Sequence, residues 1–139
     1  MKFTLKDNIL IIRFKSKDKM NEVLDPISNA YEGKITNRQG HNFPASFIPR
    51  NHILSKFDCE YVIGIYRSCD LAHEFLHARY YLDSEYRQTI QKEWNEFPQK
   101  TKEYLTNFLL RLGYSENVII DEYQAYRYSE SPNFFGIRL

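Results

Sequence analysis

The chain has 139 residues with a formal net charge of +1, 42% hydrophobic and 27% charged. That is the length and composition of one globular domain, residues 1–139, large enough to bury a core. A charge so near zero leaves no electrostatic footprint for nucleic acid or an anionic membrane surface, and no apolar run reaches the length of a membrane span. Cys59 and Cys69 are the only cysteines and form no disulfide framework, while Met1 to Asp7 lacks the apolar core of a secretion signal. The expectation is an intracellular, cytoplasmic protein with free thiols. Eleven Tyr and ten Phe suit a cleft that is partly apolar and partly hydrogen-bonding.

In chain order, Phe3–Lys6 and Ile9–Phe14 read as short strands joined by a turn at Asp7-Asn8. Lys17–Leu24 is predicted as a short helix, stopped near Asp25-Pro26. Residues 33–50 carry Gly, Pro and Asn and read as loop, with short strands around Lys34–Asn37 and Ser46–Ile48. Tyr61–Tyr66, β-branched and aromatic, is the strongest strand. Asp70 is the expected N-cap of a helix over Leu71–Leu82, with Leu71, Phe75, Ala78 and Leu82 as its apolar stripe. Ser84 is expected to cap a helix reaching about Glu96, with Tyr86, Ile90 and Trp94 inward. Pro98 opens another helix to Leu112, with Tyr104, Leu105, Phe108, Leu109 and Leu112 inward and Gly113 as its C-cap. A last helix spans Val118–Tyr128 and ends at Ser131-Pro132. Strands first and helices after predict an α+β fold: a small mixed or antiparallel sheet, then a helical half.

Chemistry concentrates in residues 73–77, His-Glu-Phe-Leu-His. On a helix, His73 and His77 stand one turn apart on one face and can share a tetrahedral zinc ion. Glu74 then falls beside the open coordination position, where it can take a proton from water. A catalytic zinc generally takes three protein ligands, so a third is needed. Asp83 follows His77 by six residues, but nothing in Ala78–Leu82 breaks the helix, which carries Asp83 about 9 Å along the axis and off the His face. Cys69 extends the same face upward; three ligands at i, i+4 and i+8 span about 12 Å, too far for one ion, and Cys69 is expected to be a buried small residue. His41 and His52 lie in the loop-rich half without a local mark. Glu122 is the stronger candidate: Ala125, three residues on, lets its helix approach the motif helix closely.

His-Glu-x-x-His followed at a distance by Glu-x-x-Ala on a later helix resembles the gluzincin zinc metallopeptidases, in particular their smallest members. The resemblance covers the two motifs and the order of elements. It implies a zincin-like fold, Zn2+ held by His73, His77 and Glu122, and hydrolysis of a peptide or protein substrate with Glu74 as general base and then acid. Larger gluzincins often hold a ligand His with an acidic residue one turn after the glutamate ligand. That place is Tyr126 here, leaving Asp121 or Tyr126 for the task. Tyr126, Tyr123, Tyr80 and Tyr81 are the candidate oxyanion donors, and the sequence does not choose among them. An extended substrate would lie along an edge strand, at Tyr61–Tyr66 or Ser46–Ile48. The competing expectation is a catalytically inactive zincin-like domain that binds a protein or peptide; Glu74 speaks against it, since metal binding alone needs no carboxylate there. The apolar Asn133–Leu139 is expected either to pack on the core or to lie in the cleft.

Overall fold

A computed structural model describes residues 1–139 as an α+β fold with four strands and five α-helices. β1 (Lys2–Lys6) and β2 (Ile9–Arg13) form an antiparallel hairpin. Its turn places Asp7 at φ 50° and Asn8 at φ 66°, the left-handed pair that matches strand twist. β3 (Gly40–Pro44) and β4 (Tyr61–Ile65) complete a sheet of order β1-β2-β4-β3, with β2 and β4 parallel and β4 and β3 antiparallel. β4 is therefore internal, which explains its unbroken apolar run, buried at every position.

The sheet is covered on both faces. Leu10, Ile12, Phe43 and Val62 meet Met20, Leu24 and Ile27 of α1 (Lys17–Glu32). On the other face, Ile9, Tyr61, Ile63 and Ile65 meet Ala78, with Leu71, Phe75 and Leu82, of α2 (Leu71–Leu82). A second core lies among α3 (Ser84–Glu96), α4 (Gln99–Arg111) and α5 (Ile119–Ser129), around Trp94, Leu105, Leu109 and Tyr123. No helix is long and apolar enough to cross a membrane.

Several expectations are corrected. α1 does not stop at Asp25-Pro26 but runs through Pro26 to Glu32. An interior Pro costs about 3 kcal/mol. Beyond Pro26 the helix buries Ile27, Ser28 and Glu32, and Ile27 alone returns about 1.5–3 kcal/mol, the same order as that cost. Lys34–Asn37 forms no strand, and the Ser46–Ile48 region is a 3-10 turn over Ala45–Phe47; the strand of this stretch is β3, between them. Asp70 makes no cap bond and instead pairs with Arg67. Asp83, not Ser84, caps α3 by accepting from the Tyr86 N–H at 3.1 Å. Pro98 stands one residue before α4, and Leu112 is exposed rather than inward. Gly113, at φ 105°, ends α4 as expected, with Tyr114 N–H returning to the Leu109 carbonyl. The tail takes the first of its two fates, core packing, with Phe135 only 3% exposed.

Candidate metal centre

α2 and α5 pack side by side, and Ala125 is fully buried in the helical half, as a close approach requires. The contact brings His73, His77 and Glu122 together: their ligand atoms all lie within 4.8 Å of one another, a group that can hold a metal ion. His77 Nε2 is 3.3 Å from His73 Nε2 and 3.3 Å from Glu122 Oε1.

The outer nitrogens decide the tautomers. His77 Nδ1 lies 2.9 Å from Asp121 Oδ1, a carboxylate that can only accept, so Nδ1 carries the proton. Gln124 Nε2 donates to the same oxygen at 3.0 Å and fixes it in place. His73 Nδ1 is 2.8 Å from Ser129 Oγ, whose single proton goes to the Ala125 carbonyl at 2.6 Å. Ser129 therefore accepts from His73 Nδ1–H. That leaves the two Nε2 atoms facing Glu122 Oε1, and in His77 the proton that its raised affinity places on Nε2 is the one a bound cation would displace. Two imidazole nitrogens and a carboxylate oxygen facing one point fit a cation, and imidazole with carboxylate is a donor set that suits zinc. Asp121 thus does the orienting work, not Tyr126, and Ser129 does it for the second imidazole.

Glu74 is 5% exposed and stands beside this group. Asn42 Nδ2 on β3 donates to its Oε2 at 3.1 Å, and the Tyr61 hydroxyl donates in turn to Asn42 Oδ1. A Cβ at Gly40 would fall 2.9 Å from Glu74 Oε1, so glycine makes room for the carboxylate. Burial, with the Glu122 charge adding, pushes Glu74 up to about 7 against the pull of His77 and Asn42. Burial, with His77 beside it, holds His73 down at about 4. Burial opposes charge on His77 too, but Asp121 and Glu122 outweigh it and raise that imidazole well above its ordinary value.

A cleft of about 390 Å³ opens onto these groups. Of the four tyrosines expected as oxyanion donors, Tyr126 lines it, with its ring 4.7 Å from that of His73 and its hydroxyl 2.7 Å from that of Tyr114. Tyr123 is buried in the helical core with its hydroxyl on Glu93, Tyr80 bonds Gln91, and Tyr81 packs on Tyr61 away from the cleft. The other metal candidates fall away. Asp83 is spent on its cap. Cys69 is exposed at the cleft rim, not buried. His52 caps a 3-10 turn, accepting from the Leu54 N–H. His41 is sealed on the far face of β3 between Ser28 and Asn21, each at 2.7 Å. The edge strand at the cleft is β3; β4 has partners on both sides.

Sequence reasoning did not reach Glu32, Asn42, Gly40, Tyr114 or Ser129. Glu32 ends α1 beyond the expected stop, and nothing local marks the others. Comparison with known protein families, with curated proteins and with solved structures finds no match to this chain.

Proposed function

We propose that this protein is a zinc-dependent peptidase of the gluzincin kind, acting on a peptide or protein substrate. One observation carries the reading: the Nε2 atoms of His73 and His77 and a carboxylate oxygen of Glu122 converge within 4.8 Å of one another, with a second buried carboxylate, Glu74, beside them. When bound at His73, His77 and Glu122, a zinc ion supplies Lewis acidity that polarises a carbonyl and acidifies water. Asp121 and Ser129 keep the two imidazoles in the tautomer that presents Nε2. Asn42 and Gly40 hold Glu74 so that its carboxylate takes a proton from the attacking water and delivers it to the leaving amine. Tyr126, paired with Tyr114, offers a hydroxyl at the cleft wall for the developing oxyanion. An extended substrate lies along β3, which lines the cleft through Gly40 and Asn42. Two free cysteines support an intracellular, cytoplasmic setting.

The test is bound zinc together with hydrolysis of a mixed peptide library, with and without a zinc chelator. We expect one zinc per chain, lost in His77→Ala and Glu122→Ala, and chelator-sensitive cleavage. Glu74→Gln is expected to keep zinc but to lose at least about a hundredfold in rate. Zinc unchanged in Glu122→Ala would remove the third ligand. Zinc binding and peptide binding without any cleavage would leave a binding module instead.

A further inference from the structure

Beside the ligand set stands a carboxylate with no assigned task. Glu32, the last residue of α1, lines the cleft and is 4% exposed. Its Oε2 is buried without a hydrogen-bond donor, as is Glu122 Oε1, and the two side chains lie within hydrogen-bonding reach of each other. A cation at His73, His77 and Glu122 answers Glu122. It leaves Glu32 Oε2 still calling for a donor, and a buried carboxylate oxygen is not left unpaired without cost.

Arg38 does not meet that need. Its Nε stands 3.6 Å from the other oxygen, Oε1, while its remaining nitrogens reach the Gly33 carbonyl at 2.8 Å and Asn29 Oδ1 at 3.3 Å. Asp25 adds a second carboxylate at 3.9 Å from Arg38. Asp25 draws on the same guanidinium from outside the cleft, so Arg38 is shared rather than committed to Glu32. This end of the cleft is also walled. Ser115 N–H donates to the Glu32 carbonyl at 3.0 Å, and a Cβ at Gly33 would fall 2.8 Å from the Gly113 carbonyl oxygen. Backbone meets backbone there, so no substrate chain passes behind Glu32.

We propose that Glu32 is the recognition group for the free α-amine of a peptide, which makes this protein an aminopeptidase removing single N-terminal residues. The inference rests on the peptidase reading. A peptide's α-amine is separated from its first carbonyl by one carbon. With that carbonyl at the metal donors, the ammonium is the group that falls against Glu32, offering the donors and the positive charge that Oε2 lacks. An internal segment would need its chain to continue through the wall made by Gly33, Gly113 and Ser115. In the reaction, the water oxygen bonds to the first carbonyl carbon, the carbon–nitrogen bond breaks, and a water proton goes to the released amine by way of Glu74. The products are an amino acid and the shortened peptide. Glu32 binds and exchanges no proton.

The test uses the full zinc-loaded chain carrying Glu74→Gln, titrated by calorimetry with the tripeptide Leu-Gly-Gly and its N-acetyl form. A charge-assisted hydrogen bond of this kind corresponds to about ten- to a hundredfold tighter binding of the free amine. Adding Glu32→Gln is expected to bring the ratio close to one while zinc stays bound. Equal binding of the two peptides, binding of neither, or a preference that survives Glu32→Gln overturns the proposal. Zinc loss in Glu32→Gln matching that in Glu122→Ala would make Glu32 a ligand and overturn it too. Hydrolysis by the wild type separates the two readings. Amine-dependent binding without cleavage keeps the subsite and ends the peptidase reading, whereas equal cleavage of free and acetylated peptides does the reverse.

Discussion

Gly40→Ala isolates what holds Glu74, the proposed general base, in place. The added Cβ would stand 2.9 Å from Glu74 Oε1 and 3.2 Å from its Cδ and Cγ. Ordinary non-bonded separations are about 3.5–4.0 Å, so the carboxylate must retreat by roughly half an ångström or more. Backbone does not block it, because every crowded atom belongs to one side chain, and the retreat stretches the 3.1 Å bond from Asn42. A misplacement of 1 Å at a reacting group costs on the order of a hundredfold in rate. Half of that corresponds to about tenfold, or roughly 1.4 kcal/mol in the barrier. Stability is expected to fall by no more than about 1 kcal/mol, since one neutral-scale hydrogen bond is weakened and no cavity is made. The assay compares kcat and KM on a cleavable peptide, bound zinc and the melting temperature for wild type and variant. A kcat loss of about tenfold with zinc and melting temperature nearly unchanged is the expected result. A variant at wild-type kcat would refute the reasoning, because Glu74 would then not depend on the space beneath it.

Asp121→Asn should weaken zinc binding by about ten- to a hundredfold, the usual effect of removing the partner that orients a ligand imidazole; a competition titration with a chromophoric chelator measures it. His41 governs part of the acid response. Burial and the Arg38 charge push its imidazole from 6.5 down to about 3, so its stabilising effect is complete above 6.5 and is lost as pH falls towards 3. In His41→Gln the slope of unfolding free energy over that range should decrease by up to about 1.4 kcal/mol per pH unit, and an unchanged slope in denaturant titrations counts against the assignment. Deleting Asn133–Leu139 removes buried Phe135 and the Phe134 ring stacked on Tyr126 at 4.4 Å. The deletion should cost at least about 3–5 kcal/mol in thermal or chemical unfolding. It should bring no gain in peptide hydrolysis, and a stable, more active protein would instead place the tail in the cleft.

Features set by neighbours in sequence were legible without a structure. The hairpin turn at Asp7-Asn8, the motif helix that stacks His73 over His77, and the end of α4 at Gly113 each follow from local backbone geometry. Glu122 was legible only through its company, a small Ala125 one turn on and an upstream His pair in need of a ligand. What the sequence concealed is what distant residues decide together. Gly-His-Asn-Phe-Pro has no propensity for a strand, yet it becomes β3 because β4 offers a ladder of hydrogen bonds along one edge. Pro26 looks like a helix stop, and only the burial of Ile27 under the sheet, with Ser28 and Glu32 after it, carries α1 past it. The partners of the site follow from the same cause: Asp121 on His77, Ser129 on His73 and Asn42 on Glu74 are 44, 56 and 32 residues apart. Spacing along a helix is a property of the chain itself. A hydrogen bond between residues so far apart exists only once the sheet, α2 and α5 have packed, so tertiary structure alone could set the tautomers of His73 and His77, the placing of Glu74 and the cleft they share.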